Sequence, residues 1–140
     1  MKLYLLNALI TPFHAQKGEV ATFIMQRLEL DELIDTIRLV EKERVEILSA
    51  IGHQDTVTFL HEILPEDVGR LFMYNRENIY LEEGDMAIVF RVADRGEKFK
   101  EHTLEDLKNF YAADNVEFIL ISRVFAPTLT LNPYFKKKEQ

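Results

Sequence analysis

Four histidines and no cysteine set the side-chain chemistry open to this 140-residue chain. Without cysteine there is no disulfide framework, no thiolate zinc site and no cysteine nucleophile. His61 falls inside a helical pattern, on the border of its apolar face, and reads as structural. His14 and His102 flank loops and read as solvated. His53 differs by position, because it follows Gly52 where a strand pattern feeds a helical one. The first N–H groups of a helix lack intrahelical partners and carry the positive end of its dipole, so such a junction favours anions such as phosphate. Two readings stay open for His53: a group facing a bound anion, or a residue that caps or packs the turn. Arg91, Arg95, Lys98 and Lys100 form a second cluster. It reads either as a solvated loop or as an anion clamp, since a guanidinium fork matches phosphate geometry.

No metal pattern occurs: there is no HExxH, and no His or carboxylate pair at ligand spacing with a third partner. The phosphate-loop, dinucleotide and nucleophile-elbow glycine motifs are also absent. Gly84, in EEGD, reads as a turn glycine. The net charge of −7 argues against broad binding to a nucleic-acid backbone, DNA included, but leaves room for a small anion in a local basic pocket. No apolar run reaches the ~18 to 20 residues of a membrane span. No small-residue cleavage site follows the opening MKLYLLNALITP, so no signal peptide is expected and a cytoplasmic location is.

The elements that must position these groups follow from apolar periodicity. Lys2 to Leu9 reads as a buried strand, and Val20 to Leu28 is ambiguous between strand and helix. Leu30, Leu33, Ile34, Ile37 and Val40 predict a helix with acidic residues at its start. Val45 to Ile51 predicts a strand that stops at Gly52, and His53 to Leu64 a helix ended by Pro65. Asn78 to Leu81 and Met86 to Val92 read as a hairpin turning at Glu82 to Asp85. Thr103 caps a helix through Tyr111, and Val116 to Phe125 is a last strand. The expected fold is α/β (α+β): one mixed sheet of about five strands with helices packed on it. Residues 1–125 form the expected domain, and residues 126–140 an extended tail.

Several of these segments occur together in a telling order: YLLNAL, SAIGHQDTVTFL, Asn75-Arg76, EEGD with IVFRV, and TLEDLKNFY followed by VEFILI. In this order they resemble the viral type III anti-CRISPR ring nucleases and their bacterial and CRISPR-associated relatives. That family was first noticed as an orphan protein of a turreted icosahedral archaeal virus. The resemblance covers residues 1–124, and the IGH junction is its most specific piece. It implies a metal-independent, cofactor-free enzyme that degrades cyclic tetra-adenylate. It also implies a homodimer, with the ligand across the two-fold axis.

Carried over residue by residue, the resemblance puts the catalytic histidine on His53 and the catalytic arginine on Arg95. The family's glutamate falls on Lys98, so Glu97, one position off, becomes the nearest catalytic carboxylate, with Glu101 beyond it. Asn7, Ile10 and Thr11 match the ligand-facing end of the first strand. Gly52, Gln54, Arg91 and Lys98 complete the expected substrate contacts. The chemistry implied is in-line attack by a ribose 2′-OH, giving linear di-adenylates ending in a 2′,3′-cyclic phosphate. The alternative is a binding module that sequesters the ring without cutting it, since Lys98 adds a cation where the family has an acid. A third reading is a partner-binding domain, with Pro127, Pro133, Tyr134 and Phe135 of the tail as its docking element.

Overall fold

A computed structural model describes residues 1–7, 15–93 and 102–125. The strands are β1 (Lys2–Leu6), β2 (Thr22–Leu28), β3 (Glu46–Ala50), β4 (Met86–Val92) and β5 (Val116–Val124). The helices are α1 (Leu30–Lys42), α2 (Gln54–Ile63), α3 (Glu66–Gly69) and α4 (Leu104–Ala112). The five strands make one mixed sheet in the order β2-β5-β4-β1-β3. β1 runs parallel to β3 and β4, while β5 is antiparallel to β4 and β2.

The central strands read as unbroken apolar runs because both their faces are covered. In β1, Leu3 and Leu5 join the core beneath the helices, while Tyr4 and Leu6 join a second core on the opposite face. The helix-side core gathers Leu33 and Ile37 of α1, Val57, Phe59 and Leu60 of α2, and Leu107 of α4. At its centre Phe90 lies 5.7 Å from Phe59 and 5.6 Å from Phe118, ring centre to ring centre. Thr103 and Asp106 close α4 reciprocally: each side chain accepts the other's backbone N–H, at 3.2 and 3.1 Å.

Four local expectations change. The ambiguous second segment is a strand, because Thr22–Leu28 pairs with β5 along its whole length and lies at the sheet edge. The hairpin of Asn78 to Leu81 with β4 does not form, since β1 and β5 occupy both edges of β4. The EEGD turn remains, with Gly84 at φ +88° and Asp85 N–H donating to Glu82 O at 3.0 Å. Pro65 does more than end α2: its carbonyl accepts from Val68 and Gly69 N–H and so starts the short, unforeseen α3. The first strand ends at Leu6 rather than Leu9, and residues 8–9 lie outside the described residues. The tail, 126–140, lies outside them too.

In place of the hairpin, residues 75–82 run as an irregular strap that contributes Ile79 and Leu81 to the helix-free core. Arg123, 3% exposed on β5, anchors its far end. Its guanidinium donates to Leu81 O, to Tyr80 Oη at 2.7 Å and to Glu19 at 2.8 Å, while the Tyr80 hydroxyl also donates to Glu19. Among the described residues no helix is long and apolar enough to cross a membrane.

Candidate functional site

Three parallel strands end at one edge of the sheet, where the carboxyl ends of β1 and β3 lie side by side. Open α/β sheets bind ligands in the crevice outside such ends. There Ile51, Gly52 and His53 carry the chain from β3 into α2. Both peptide groups of Gly52 are held from distant parts of the chain. Its N–H donates to Asn7 Oδ1 at 3.1 Å, and its carbonyl accepts from Arg76 Nε at 3.2 Å.

Arg76 is placed by a short extension of the sheet. Tyr74 forms a parallel bridge with Ile51, and Asn75 N–H donates to Ile51 O at 2.9 Å. The Ser49 hydroxyl donates to Met73 O and accepts from Met73 N–H, both at 2.7 Å, and the Asn75 side chain donates to Ser49 O at 3.2 Å. These bonds fix the strap's near end, so the arginine meets the junction from one side and Asn7 from the other. No carboxylate among the described residues pairs with Arg76.

His53 is the N-cap of α2, with extended backbone (φ −134°, ψ 124°), and its side chain does not cap the helix. The first bond of α2 runs from Val57 N–H to His53 O at 3.3 Å, so the N–H groups of Gln54, Asp55 and Thr56 precede the intrahelical ladder. Two adjoining cavities of about 390 Å³ each share Gly52, His53 and Arg76 as a common wall. The first continues over Leu6, Asn7, Asn75 and Asn78; the second continues over Gln54, Asp55, Tyr74 and His102.

Of the residues expected from sequence, His53, Gly52, Asn7 and Gln54 come together here. Arg91 does not. It stands on β4, donates to Glu117 at 3.0 Å, and lines neither cavity. Glu117 also pairs with Arg27 at 3.5 Å, so a cross-strand carboxylate takes the cation intended for a clamp. Ile10, Thr11, Arg95, Glu97 and Lys98 lie outside the described residues, as do His14, Lys100 and Glu101. His61 is structural as expected, its Nε2 lying 2.8 Å from Phe72 O. His102 is not a solvated loop residue: it is half-buried, 4.9 Å from the Phe110 ring, and lines the second cavity. Sequence reasoning noted the Asn75-Arg76 pair without giving it a role, and it missed Tyr74, Asn78 and Asp55. Among the described residues no group of three His, Cys, Asp or Glu side chains could hold a metal ion.

The fold has a counterpart among known proteins. The family model described as STIV B116-like matches residues 3–118. The chain belongs to this B116-like family. Its fold is also similar to that of B116 of Sulfolobus turreted icosahedral virus, with a TM-score of 0.62. That likeness covers 87% of this chain and 99% of the viral one at 20% identity, which shows the fold alone. No curated protein matches. The B116-like region contains both cavities and every residue that holds Gly52.

Proposed function

We propose that this B116-like protein is a metal-independent ring nuclease that opens cyclic tetra-adenylate to linear di-adenylates with 2′,3′-cyclic phosphate ends, so switching off type III CRISPR signalling. One observation carries the reading: His53 stands at the N-terminus of α2, beside a glycine held between Asn7 and Arg76, in the wall shared by two open cavities. Phosphate suits that place, because a guanidinium without a described carboxylate partner and the leading N–H groups of a helix both favour an anion.

The substrate supplies its own nucleophile. Holding a ribose 2′-OH in line with the 5′-oxygen across the phosphorus gains the effective molarity of an intramolecular attack. As the 2′-oxygen bonds phosphorus and releases its proton to water, the bond from phosphorus to the 5′-oxygen breaks; His53, protonated, gives its proton to that departing oxygen, and Arg76 holds the phosphate. By the family resemblance Arg95 would add charge to the crowded phosphorus, with Glu97 orienting that arginine or the 2′-OH. A homodimer would offer duplicate His53 groups to opposite phosphates of the ring, whose own two-fold matches an isologous interface. A cytoplasmic location suits a substrate that acts as an intracellular messenger.

The test is incubation of the protein with cyclic tetra-adenylate in EDTA, with products resolved by mass. Linear di-adenylate is expected; an intact ring at high protein concentration refutes the reading. His53→Ala should lower single-turnover cleavage by ~10² to 10⁴-fold while melting normally. Lys98, where the family carries an acid, favours a second reading: a protein that binds the ring without cutting it. Tight calorimetric binding with no turnover over hours would select that one.

A further inference from the structure

We infer that the second cavity is a base-binding subsite, in which Tyr74 stacks on the heterocycle and Asp55 accepts a hydrogen bond from its exocyclic amine. The inference rests on the nucleotide reading above and adds to it the residues that choose the base.

Tyr74 is the first ground. Its backbone is fixed by the bridge to Ile51 and by its neighbours' bonds to Ser49 and Ile51, yet its side chain stands 49% exposed. Met73 beside it is 59% exposed. A large aromatic ring on a fixed backbone at a cavity rim is a ready stacking surface, because only two side-chain torsions need ordering when a base covers it. The half-buried His102 supplies a second ring to the same cavity. The remaining wall is shared with the phosphate position: Gly52, His53 and Arg76. A nucleotide with its phosphate at that wall therefore has an aromatic-lined space next to it.

Asp55 is the second ground. It is exposed, in the first turn of α2, and no described residue forms an ion pair with it. An ionised carboxylate only accepts hydrogen bonds. It suits an amine such as the 6-amino group of adenine and opposes a carbonyl oxygen in the same place, which would leave two acceptors facing each other. Gln54 beside it can serve either kind of edge, so the discrimination falls to Asp55.

The test uses rings that cannot be cut: cyclic tetra-deoxyadenylate, which lacks the attacking 2′-OH, and its counterpart with hypoxanthine, in which a carbonyl replaces the 6-amino group. Affinities of both rings are measured for the wild-type chain, Tyr74→Ala, Tyr74→Phe and Asp55→Asn, with a melting curve for each. The wild type should prefer the adenine ring. Tyr74→Ala should weaken both rings by roughly 5- to 150-fold, the range for losing one stacked base, while Tyr74→Phe retains affinity. Asp55→Asn should bind the hypoxanthine ring more nearly like the adenine ring, since an amide can donate to the carbonyl. A Tyr74→Ala protein that binds within twofold of wild type, or an unchanged preference in Asp55→Asn, overturns the subsite. If wild type binds neither ring, the ring-nuclease reading fails, and the mononucleotides adenosine and inosine 5′-monophosphate test the subsite alone. A preference for the first that Asp55→Asn abolishes then sustains it, and binding of neither ends it.

Discussion

Replacing Gly52 by alanine separates the glycine's service to the chain from its service to a ligand. Among the described glycines only Gly18 and Gly84 have the positive φ that side chains resist. A methyl built on Gly52 would lie 3.7 Å from Arg76 Cγ, 3.9 Å from Arg76 Nε and 4.0 Å from Asn7 Oδ1, all ordinary contacts. Nothing in the folded chain must move to admit it. The substitution also removes conformational freedom from the unfolded chain, which stabilises by about 0.4–1 kcal/mol where the native backbone accepts it. For a domain of this size that is a melting point raised by about 1–5 °C. On the proposed reading a ligand would have no such tolerance. The methyl would stand in the wall common to both cavities, near the two side chains that hold the glycine, where the proposed reading brings a phosphate against the backbone. A loss of about tenfold or more in ring affinity is expected, equivalent to about 1.4 kcal/mol. Differential scanning calorimetry and titration with the non-cleavable adenine ring measure the two effects on one preparation. A melting point several degrees lower would show that the glycine serves the backbone; unchanged affinity would show that no ligand touches the shared wall.

Phe59→Ala should cost about 3–5 kcal/mol, because the ring is fully buried between Phe90 and Tyr111 and its loss leaves a cavity; urea denaturation with an unchanged slope checks this. Glu19 is held below the ordinary carboxylate range, first by the Tyr80 hydroxyl and then by Arg123. Its contribution is therefore complete above that range and is lost as pH falls through the lowered value. Glu19→Gln should flatten the acid limb of stability against pH, and an unaltered limb would remove this anchor from the account. Arg91→Ala should bind the ring within threefold of wild type, since Arg91 already pairs with Glu117 at 3.0 Å; a tenfold loss by titration would restore it to the site.

Sequence patterning revealed those elements whose apolar spacing is self-contained. Leu30, Leu33, Ile37 and Val40 mark one face of α1, and the runs in β1, β4 and β5 mark strands covered on both sides. It misplaced Asn78 to Leu81, whose composition suits a strand, because only the tertiary pairing of β4 reveals that no free edge awaits it. α3 escaped notice because a single turn started by the Pro65 carbonyl has no periodicity to read. At the site, His53 was legible because a glycine between a strand pattern and a helix pattern marks a junction. Arg76 had no comparable signal. Its place depends on the Tyr74 bridge to Ile51 and on Ser49 holding Met73, neither of which spacing encodes. Arg91 departs from its expected place for the opposite reason, since adjacency in sequence to Arg95, Lys98 and Lys100 hid the Glu117 carboxylate across the strand.

The strength of the junction as a binding place lies in how its two peptide groups are held. Asn7 reaches Gly52 across 45 positions of sequence and Arg76 across 24, so neither bond forms until the sheet and the strap are both in place. Asn7 follows β1, one of the most buried strands, and Arg76 is tied to β3 through Asn75, whose N–H and amide meet Ile51 O and Ser49 O. The floor of both cavities is therefore tied to the end of β1 and to the edge strand β3, which leaves it little loop entropy to lose on binding. The strap that completes the wall is anchored at both ends, near Ser49 and at Arg123, and lacks regular structure only between them. On the proposed reading, a floor held in this way would keep the phosphate position constant while the residues around it change. On the nucleotide reading proposed above, base choice would fall to Tyr74, beside the strap, and to Asp55 of α2, while Arg76 and the junction at Gly52 would hold the charge common to every nucleotide.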